Sequence, residues 1–291
     1  MEIILYIYLF IMIIWIASYP KSGNTWIRSI VSSLVYSNDG IFNFGLLKNI
    51  QQFPNKIYFK SLTEKFQDID ELKKFWITAQ ERINLDNKIK FFKTHHLNCK
   101  IGNHPFTNRD NTLGTIYIVR DPRNLVNSFS NHYTVDKNVA KENIVSPRFV
   151  TGTVYKHNKQ NNVFTILGSW KDHYNSWTKN NNNLLLLKYE DLLLDPYKEI
   201  NKIVIYLENF IDFKYDNQKI KNIIDSTSFD SMKKMEIEKG FPEAVENKFD
   251  TNKVNFFNLG KDNNWKDYLK DEESEYLISK LGIEMKELGY I

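Results

Sequence analysis

The chain has 291 residues, of which 42% are hydrophobic and 25% are charged. These proportions are those of a globular protein and exclude a disordered chain, and the length fits one large domain. The net charge of +4 does not predict a nucleic-acid ligand, and Cys99, the single cysteine, excludes an intrachain disulfide or a cysteine-based metal cluster. The lone cysteine favours a reducing compartment, so we expect a cytoplasmic protein.

The N-terminal region is almost wholly apolar over residues 3–17. This stretch is shorter than the about 20 residues that cross a bilayer as a helix, and no Lys or Arg precedes it as in a signal peptide. It leads directly into a polar, glycine-containing turn at residues 18–23. We therefore interpret residues 13–17 as a buried parallel strand, residues 12–291 as the domain and residues 1–11 as an apolar extension. A membrane anchor formed by that extension is the alternative.

Short apolar runs alternate with helical patterns along the chain. The predicted strands are residues 13–17, 89–92, 115–119 and 184–187, and the predicted helices are residues 25–36, 69–84, 124–132, 168–179 and 197–207. This alternation predicts an α/β single domain with a parallel sheet flanked by helices on both faces. Ligands of such sheets bind at the carboxyl ends of the strands. The residues expected there are Lys21, Lys93 to His95, Arg120 and Tyr189.

The turn after the first strand has the composition of an anion-binding loop. Residues 19–26 have the sequence YPKSGNTW, in which a strand ends, a glycine turn follows and a helix begins. Turn amides and a helix N-terminus together bind anions, and Lys21 adds a positive charge. The Walker pattern GxxxxGK[ST] is absent from the whole chain. An ordinary capped helix is the alternative interpretation of this loop.

The same loop resembles the 5′-phosphosulfate loop of the cytosolic-type sulfotransferases that use 3′-phosphoadenosine 5′-phosphosulfate (PAPS), which usually have Thr where Asn24 stands. Further resembling segments follow in order: FKTH at 92–95, IVRDPR at 118–123 with Ser128, GSW at 168–170, YEDL at 189–192, TSF at 227–229, and Gly260 ahead of Trp265. The resemblance covers about residues 12–270. It implies a P-loop-like sulfotransferase fold and transfer of a sulfuryl group from PAPS to an acceptor hydroxyl or amine.

The resemblance also implies roles for single residues. The catalytic histidine of the family's Lys-Thr-His segment corresponds to His95, the general base. Sulfuryl transfer is close to phosphoryl transfer but involves less charge, so lysines can replace magnesium and no metal is expected. We expect Lys21 to stabilise the leaving oxygen and Lys93 the sulfuryl oxygens. The expected donor-binding residues are Lys21, Ser22, Gly23, Asn24, Thr25, Trp26, Arg120, Ser128, Tyr189, Thr227, Ser228, Phe229 and Gly260.

One departure from the family pattern concerns the C-terminal nucleotide loop. The family has Arg-Lys-Gly where this chain has Asn258-Leu259-Gly260. A lost charge-assisted hydrogen bond costs about 1.5–3 kcal/mol. We therefore expect weaker PAPS binding, or a substitute cation such as Lys261.

The other histidines lack a partner pattern. We interpret His96, His104, His132 and His157 as surface residues, with His96 as the second candidate for the base. His173 lies within WxxHxxxW on one predicted helix face, a spacing typical of packing. Basic and aromatic residues are scattered without the stripe expected for nucleic acid.

Residues 38–68 and 133–165 are expected to supply the acceptor pocket and its lid. Their aromatic residues are Phe42, Phe44, Phe53, Tyr58, Phe59, Tyr133, Phe149 and Tyr155. Such residues favour a small apolar or ring-bearing acceptor, although they also build ordinary core. A lipid or a glycan acceptor is the alternative, and the oligomeric state, a homodimer included, is left open.

Two other functions compete with sulfuryl transfer. A P-loop phosphotransferase would require magnesium and a Walker sequence. A non-catalytic nucleotide-binding protein would fit the loss of both cations at Asn258 and Leu259. The joint presence of five residues argues against the second: Lys21, Lys93, His95, Arg120 and Ser128.

Overall fold

The computed structural model describes residues 12–152, 163–179, 181, 183–244 and 255–291, with only the backbone of Lys261. The predicted extension at residues 1–11 lies outside these ranges, as do Tyr155 and His157. Within the described residues, no helix is both long enough and apolar enough to cross a bilayer.

A parallel sheet forms the centre of the fold. The strands are β1 Ile13–Ala17, β2 Gln51–Gln52, β3 Lys90–Thr94, β4 Lys100–Ile101, β5 His104–Pro105, β6 Thr112–Val119, β7 Val150–Thr151, β8 Thr165–Ile166 and β9 Leu184–Lys188. The main sheet has five parallel strands in the order β2-β3-β1-β6-β9. β4 pairs with β5, and β7 with β8, as short antiparallel hairpins.

Helices surround this sheet. They are α1 Asn24–Tyr36, α2 Ile69–Leu72, α3 Trp76–Asn84, α4 Pro122–Tyr133, α5 Lys137–Val145, α6 Trp170–Thr178, α7 Tyr189–Leu194, α8 Pro196–Glu208, α9 Asn217–Thr227, α10 Phe229–Lys239 and α11 Asp271–Glu287. Short 3-10 helices lie at Phe44–Asn49, Lys56–Tyr58, Lys73–Phe75, Gly260–Asp262 and Trp265–Asp267.

Both faces of the sheet are buried. Ile14 and Ile16 of β1 pack against the apolar sides of α1, α8 and α9. The alternate residues of β1, including Trp15, pack on the other face against α3, α4, α6 and α11. Successive side chains of a strand point to opposite faces, so a strand covered on both sides is apolar throughout. The structure thus confirms the predicted parallel α/β sheet with helices on both faces.

Local capping fixes where the helices nearest the carboxyl edge begin. Asp121 caps α4 by accepting a hydrogen bond from the Arg123 amide, and Pro122 occupies the first helical position, where a missing N–H costs nothing. Ser169 and Asp172 form a capping box at the start of α6. The predicted starts of these helices therefore differ from the observed ones by two residues.

Several predicted boundaries were wrong. The helix predicted at residues 69–84 is two helices, α2 and α3, separated by the tight turn Lys73–Phe75. The strand predicted at 89–92 runs to Thr94, because Lys93 and Thr94 pair with Ile16 and Ala17 of β1. Helices α5, α7, α9, α10 and α11 were not predicted. In α10 only Met232 and Glu236 are buried, so its sequence has little apolar periodicity.

Candidate functional site

The loop between β1 and α1 lies at the carboxyl edge of the sheet, as predicted. Its backbone is left-handed at Lys21 (φ 68°) and at Gly23 (φ 107°). A Cβ atom at Gly23 would lie 2.8 Å from the Tyr189 ring and 3.0 Å from Ile118. Glycine is therefore required at this position, both for the backbone angle and for the close contact with Tyr189.

Asn24 and Ser22 have different surroundings within this loop. The Asn24 side-chain amide donates hydrogen bonds to the Ile16 carbonyl (2.9 Å) and to Ser18 Oγ (3.2 Å), so it ties the loop to β1. Ser22 Oγ is buried and has no hydrogen-bond partner within the described part of the chain. The first amides of α1 have no intrahelical partners, as in any helix. The loop thus offers donors for an anion.

Lys21 lies over an aromatic ring. Its Nζ is 3.9 Å from the ring centroid of Phe256. Burial, together with the charges of Lys93 and Arg120, lowers the pKa of Lys21 to about 7. An anion placed beside Lys21 would favour its charged form.

His95 follows β3 and has a defined tautomer. Its Nδ1 lies 2.8 Å from the Ser18 carbonyl oxygen, which can only accept, so Nδ1 carries the proton. The other nitrogen, Nε2, therefore keeps a lone pair available for a proton. Burial, with the nearby Lys93 charge, lowers the pKa of His95 to about 3, so the ring is neutral near pH 7.

His173 supports His95 from α6. Its Nε2 donates a hydrogen bond to the His95 carbonyl (3.1 Å), and the Tyr117 hydroxyl donates to its Nδ1 (2.9 Å). The sequence analysis interpreted His173 as a packing residue and missed these contacts. The WxxHxxxW spacing showed only that His173 shares a helix face with Trp170 and Trp177.

Lys93 is buried in β3 and forms an ion pair that the sequence did not predict. Its Nζ lies 2.9 Å from Oε2 of Glu243, whose Oε1 lies 2.6 Å from NH1 of Arg28. Lys93 and Glu243 are 150 positions apart in the chain, and no motif contains Glu243. The tertiary structure alone brings this carboxylate to the site.

Arg120, Tyr189 and Trp26 form one aromatic and cationic cluster. The Arg120 guanidinium lies 4.0 Å from the Tyr189 ring centroid, and the Trp26 ring meets Tyr189 edge-on at 5.5 Å. Arg120 is buried, and its Nε has no hydrogen-bond partner among the residues that the structure describes. The cluster joins the end of β6 to the start of α1.

The C-terminal loop, residues 258–265, is hydrogen-bonded to α4 one turn before Ser128. The Trp265 amide donates to Asn124 Oδ1 (2.8 Å), and the Asn263 side chain donates to the Asn124 carbonyl (2.7 Å). Gly260, at φ 56°, lies in this loop, and a Cβ atom there would lie 2.6 Å from the Phe229 ring. The structure therefore brings Phe229 and Gly260 together and fixes their loop to the helix that carries Ser128.

Thr227 and Ser228 make local hydrogen bonds. The Thr227 hydroxyl donates to the Ile223 carbonyl (2.7 Å), and Ser228 Oγ caps α10 by accepting from the Ser231 amide (3.3 Å). The two hydroxyls thus shape the junction between α9 and α10, which positions Phe229. Thr25 is buried in the first turn of α1.

A cation lies beside the segment in which the family has Arg-Lys. Lys233 of α10 donates a hydrogen bond from Nζ to the Asn258 carbonyl (3.2 Å), and its Nζ is 5.8 Å from the Phe229 ring centroid. The side chain of Lys261, the substitute that the sequence suggested, lies outside the described residues.

His96 and His132 are not surface residues, contrary to the sequence interpretation. His96 is fully buried, with its ring stacked on Phe106 at 4.2 Å and edge-on to Trp76. It therefore cannot serve as the second candidate base. His132 is half-buried with its ring edge-on to Phe256, and burial together with the charges of Lys21 and Lys93 holds its pKa well below the usual range.

The aromatic residues expected in the acceptor pocket are divided between core and site. Phe53 and Phe59 are fully buried in the core that contains Trp15, so they do not line a pocket. Tyr133 and Phe149 are half-buried and lie beside Phe129, near the end of α4. Within the described ranges, no three His, Cys, Asp or Glu side chains are grouped as metal ligands would be.

Comparison with known proteins identifies the family. The family model that describes the sulfotransferase domain matches residues 13–289 of this chain. Mouse sulfotransferase 1B1 is 27% identical over 266 residues, covering 89% of this chain and 78% of that protein. Flavonol 3-sulfotransferase of Flaveria bidentis is 24% identical, covering 90% of this chain and 78% of that protein.

Two solved structures share the fold. Mouse sulfotransferase SULT7A1 complexed with PAP has a TM-score of 0.54 at 22% identity, covering 93% of this chain and 84% of that one. Retinol dehydratase in complex with retinol and PAP has a TM-score of 0.59 at 19% identity, covering 94% and 81%. The family match extends over nearly the whole chain and agrees with the α/β fold and the loop described above. The chain therefore belongs to the sulfotransferase family.

Proposed function

We propose that this sulfotransferase transfers a sulfuryl group from PAPS to the hydroxyl or amine of a small-molecule acceptor, with His95 as the general base. The observation that carries the proposal is the tautomer of His95. Its Nδ1–H donates to the Ser18 carbonyl, which leaves Nε2 as the proton acceptor. Lys93 and Lys21 lie close enough for the Lys93 charge to lower the pKa values of both His95 and Lys21.

The donor side of the site fits a phosphosulfate nucleotide. Ser22 Oγ and Arg120 Nε are buried polar atoms without partners among the described residues, and such atoms usually bind a ligand or water. The glycine loop and the N-terminus of α1 favour an anion. Trp26 and Tyr189 supply aromatic faces beside the loop. The presence of PAP, adenosine 3′,5′-bisphosphate, in the two structures named above supports the same donor.

Each catalytic side chain has one task. His95 Nε2 accepts the proton of the acceptor O–H or N–H as the new bond to sulfur forms. Lys21 stabilises the negative charge that develops on the phosphate oxygen as its bond to sulfur breaks. Lys93 balances the charge on the sulfuryl oxygens, which is smaller than that of a phosphoryl group. The proton remains on His95 until bulk water removes it, so atoms and charges balance.

The 3′-phosphate is held by Arg120, Ser128 and Lys233. Arg120 supplies a buried guanidinium, and Ser128 lies on α4 beside the attached C-terminal loop. Lys233 supplies the cation that Asn258 and Leu259 lack, because its ammonium already reaches the Asn258 carbonyl. This assignment accounts for the loss of the family's Arg-Lys pair.

The acceptor is a small alcohol or amine. Relatives named for a flavonol, for luciferin and for amines support this class. Tyr133, Phe149, Phe256 and His132 place aromatic rings near Lys21 or the end of α4, where an acceptor would meet the site. A cytoplasmic location fits the single, half-buried Cys99.

Ligand-linked unfolding tests the donor assignment. Thermal unfolding is measured with and without PAP for the wild type, for Arg120→Ala and for Arg148→Ala, an exposed arginine outside the site. At about 100 times its dissociation constant, a ligand adds about 2.7 kcal/mol to the free energy of unfolding. PAP should stabilise the wild type and Arg148→Ala equally, and Arg120→Ala much less.

Turnover is then measured with radiolabelled PAPS and a panel of alcohols, phenols and amines. Transfer to any of them supports the proposal. Stabilisation by PAP without transfer to any acceptor would support a non-catalytic nucleotide-binding protein. Stabilisation by magnesium-ATP and none by PAP would instead support a phosphotransferase.

A further inference from the structure

Glu243 lies at the site although no motif includes it. It belongs to the segment 241–244 that follows α10, and its carboxylate joins two cations from different elements. Oε1 pairs with Arg28 of α1 at 2.6 Å, and Oε2 pairs with Lys93 of β3 at 2.9 Å. The side chains of Arg28 and Lys93 are 4% and 11% exposed, against 31% for Glu243. The Glu243 carboxylate therefore lies between the two buried cations and solvent.

Arg28 is anchored independently of Lys93. Its NH2 donates to the Ile50 carbonyl at 2.9 Å. Because one cation partner is fixed to the backbone, Glu243 has little freedom, and Lys93 is directed towards it. The ion pair thus sets the direction of the Lys93 side chain as well as its electrostatic surroundings.

The two lysines of the site differ in their partners. Lys21 has a phenylalanine ring beside its ammonium, and its pKa falls to about 7. Burial also lowers the pKa of Lys93, but the direct contact with Glu243 opposes that effect. A nearby carboxylate favours the charged form of an ammonium, whereas burial favours the neutral form.

We propose that Glu243 is a positioning residue for sulfuryl transfer, which holds Lys93 charged and directed at the carboxyl edge of the sheet. This inference rests on the function proposed above. In this role Glu243 acts through Lys93 and does not itself touch the reacting atoms. Lys93 can bind a sulfuryl oxygen while keeping the contact with Glu243, because an ammonium has three donors.

The other groups around Lys93 cannot replace Glu243. Among the residues that the structure describes, the titratable and charged groups near Lys93 on neighbouring elements are Arg28 of α1, Lys21 of the loop, His95 after β3 and His132 of α4. None of these groups is an anion: the charge of Arg28 disfavours a charge on Lys93, and the neutral histidines supply no counterion. The nearby carboxylate of Glu236 is occupied by the backbone amides of Phe256 and Phe257, at 2.8 and 2.9 Å.

The pH profile of turnover tests this role. In Glu243→Gln, Lys93 loses its counterion, so kcat at saturating PAPS should begin to fall at a lower pH than in the wild type. Removing an opposite charge at this distance moves a pKa by about 1–3 units. The matched control is Glu238→Gln, whose carboxylate is exposed on α10 and pairs loosely with Lys234 at 3.9 Å. Its profile should match the wild type, and a Glu243→Gln profile that also matches would overturn the proposal.

A double-mutant cycle separates the proposed role from a general structural one. In a Lys93→Gln background, adding Glu243→Gln should reduce kcat by less than about twofold, because the residue through which it acts is already gone. A further large loss would overturn the proposal. Glu243→Asp keeps the charge but is one methylene shorter. Its pH profile of kcat should therefore lie between those of the wild type and Glu243→Gln. Glu243→Asp also serves as the test variant if Glu243→Gln does not fold.

A readout without turnover keeps this test apart from that of the proposed function. Lysines labelled with carbon-13 at Cε are titrated by NMR, and Lys93 is assigned from the signal lost in Lys93→Arg. Lys93 should titrate at a lower pH in Glu243→Gln than in the wild type. An unchanged Lys93 titration would overturn the role of Glu243 even in an active enzyme. Failure of the wild type to transfer sulfuryl groups would overturn the proposed function, whatever the Lys93 titration shows.

Discussion

At the scale of the residue, the chemistry of His95 depends on a backbone carbonyl. The Ser18 carbonyl accepts a hydrogen bond from Nδ1–H of His95, and the carbonyl of His95 accepts one from Nε2–H of His173. A histidine in the Lys-Thr-His segment is therefore oriented by β1 and α6, which are distant in sequence. The result is a neutral imidazole whose free nitrogen can accept a proton.

Replacement of His95 tests its proposed role as base. His95→Ala should lower kcat by about 10²–10⁴-fold, the usual contribution of general base catalysis, while PAP still binds. His104→Ala, in the β4–β5 hairpin, is the matched control and should keep normal turnover. Steady-state kinetics gives kcat, and calorimetry gives the PAP affinity. Near-normal turnover in His95→Ala would reject this base.

The lowered pKa of Lys21 predicts that donor binding depends on pH. Its pKa is about 7 in the free protein, and a bound phosphate favours the charged form. Above about pH 7, binding must therefore take up a proton, so PAP affinity should fall by up to about tenfold per pH unit. Below that pH Lys21 is already charged and contributes no further change.

Calorimetric titration with PAP between about pH 6 and 9 measures this slope. Lys21→Met should bind PAP more weakly near neutral pH and should lose the slope that Lys21 causes. An equal slope in the wild type and in Lys21→Met would show that another group takes up the proton.

At the scale of the element, α10 brings two side chains to the C-terminal loop of the candidate site. Its first residue, Phe229, packs on Gly260, and Lys233 on the next turn reaches the Asn258 carbonyl. Ser228 caps the helix and so fixes its direction. One helix thereby places an aromatic ring and a cation beside the C-terminal loop.

Two adjacent lysines on α10 offer a direct test of this arrangement. Lys233→Gln should weaken PAP binding by about tenfold, as expected for the loss of one charge-assisted contact. Lys234→Gln removes the same charge one position later, where the side chain is exposed and faces Glu238. Its effect on the PAP dissociation constant should be less than twofold. Equal effects of the two changes would point to general electrostatics instead of a defined contact.

At the scale of the whole molecule, buried histidines link stability to pH. Burial lowers the pKa of His95 and His173 to about 3 and that of His96 to about 4. Between about pH 4 and pH 6.5 the unfolded chain binds protons at these residues, whereas the folded chain leaves them largely neutral. The free energy of unfolding should therefore be greatest above about pH 6.5 and should decrease as the pH falls below it.

Urea unfolding at a series of pH values measures this decrease. Each histidine contributes up to about 1.4 kcal/mol per pH unit between its folded and unfolded pKa values. His96→Phe keeps an aromatic ring beside Phe106 and removes one group that binds a proton on unfolding. The free energy of unfolding of this variant should change with pH by up to about 1.4 kcal/mol per pH unit less than that of the wild type. An unchanged slope would show that His96 is not neutral in the folded state.

The elements that the sequence predicted well are those whose signals are local. A strand covered on both faces is apolar without interruption, so β1 was predicted with its observed bounds, Ile13–Ala17. The positive backbone angles of the loop after it require glycine at position 23. The start of α4 was predicted two residues late, at residue 124, although Asp121 is its N-cap and Pro122 its first residue. The strand ends also indicated Lys21, Lys93 to His95, Arg120 and Tyr189 at the carboxyl edge, whereas the other donor-binding residues were named from the resemblance to a known family.

The sequence by itself determined the parallel α/β architecture, because that follows from periodicity and turn chemistry, and its resemblance to a known family supplied the candidate site residues. Only the tertiary structure decided the partners of those residues. Glu243 reaches Lys93 across 150 positions, His173 supports His95 from another helix, and His96 is buried in an aromatic cluster. These contacts depend on how the elements pack, and a contact between distant residues leaves no periodic signal in one sequence.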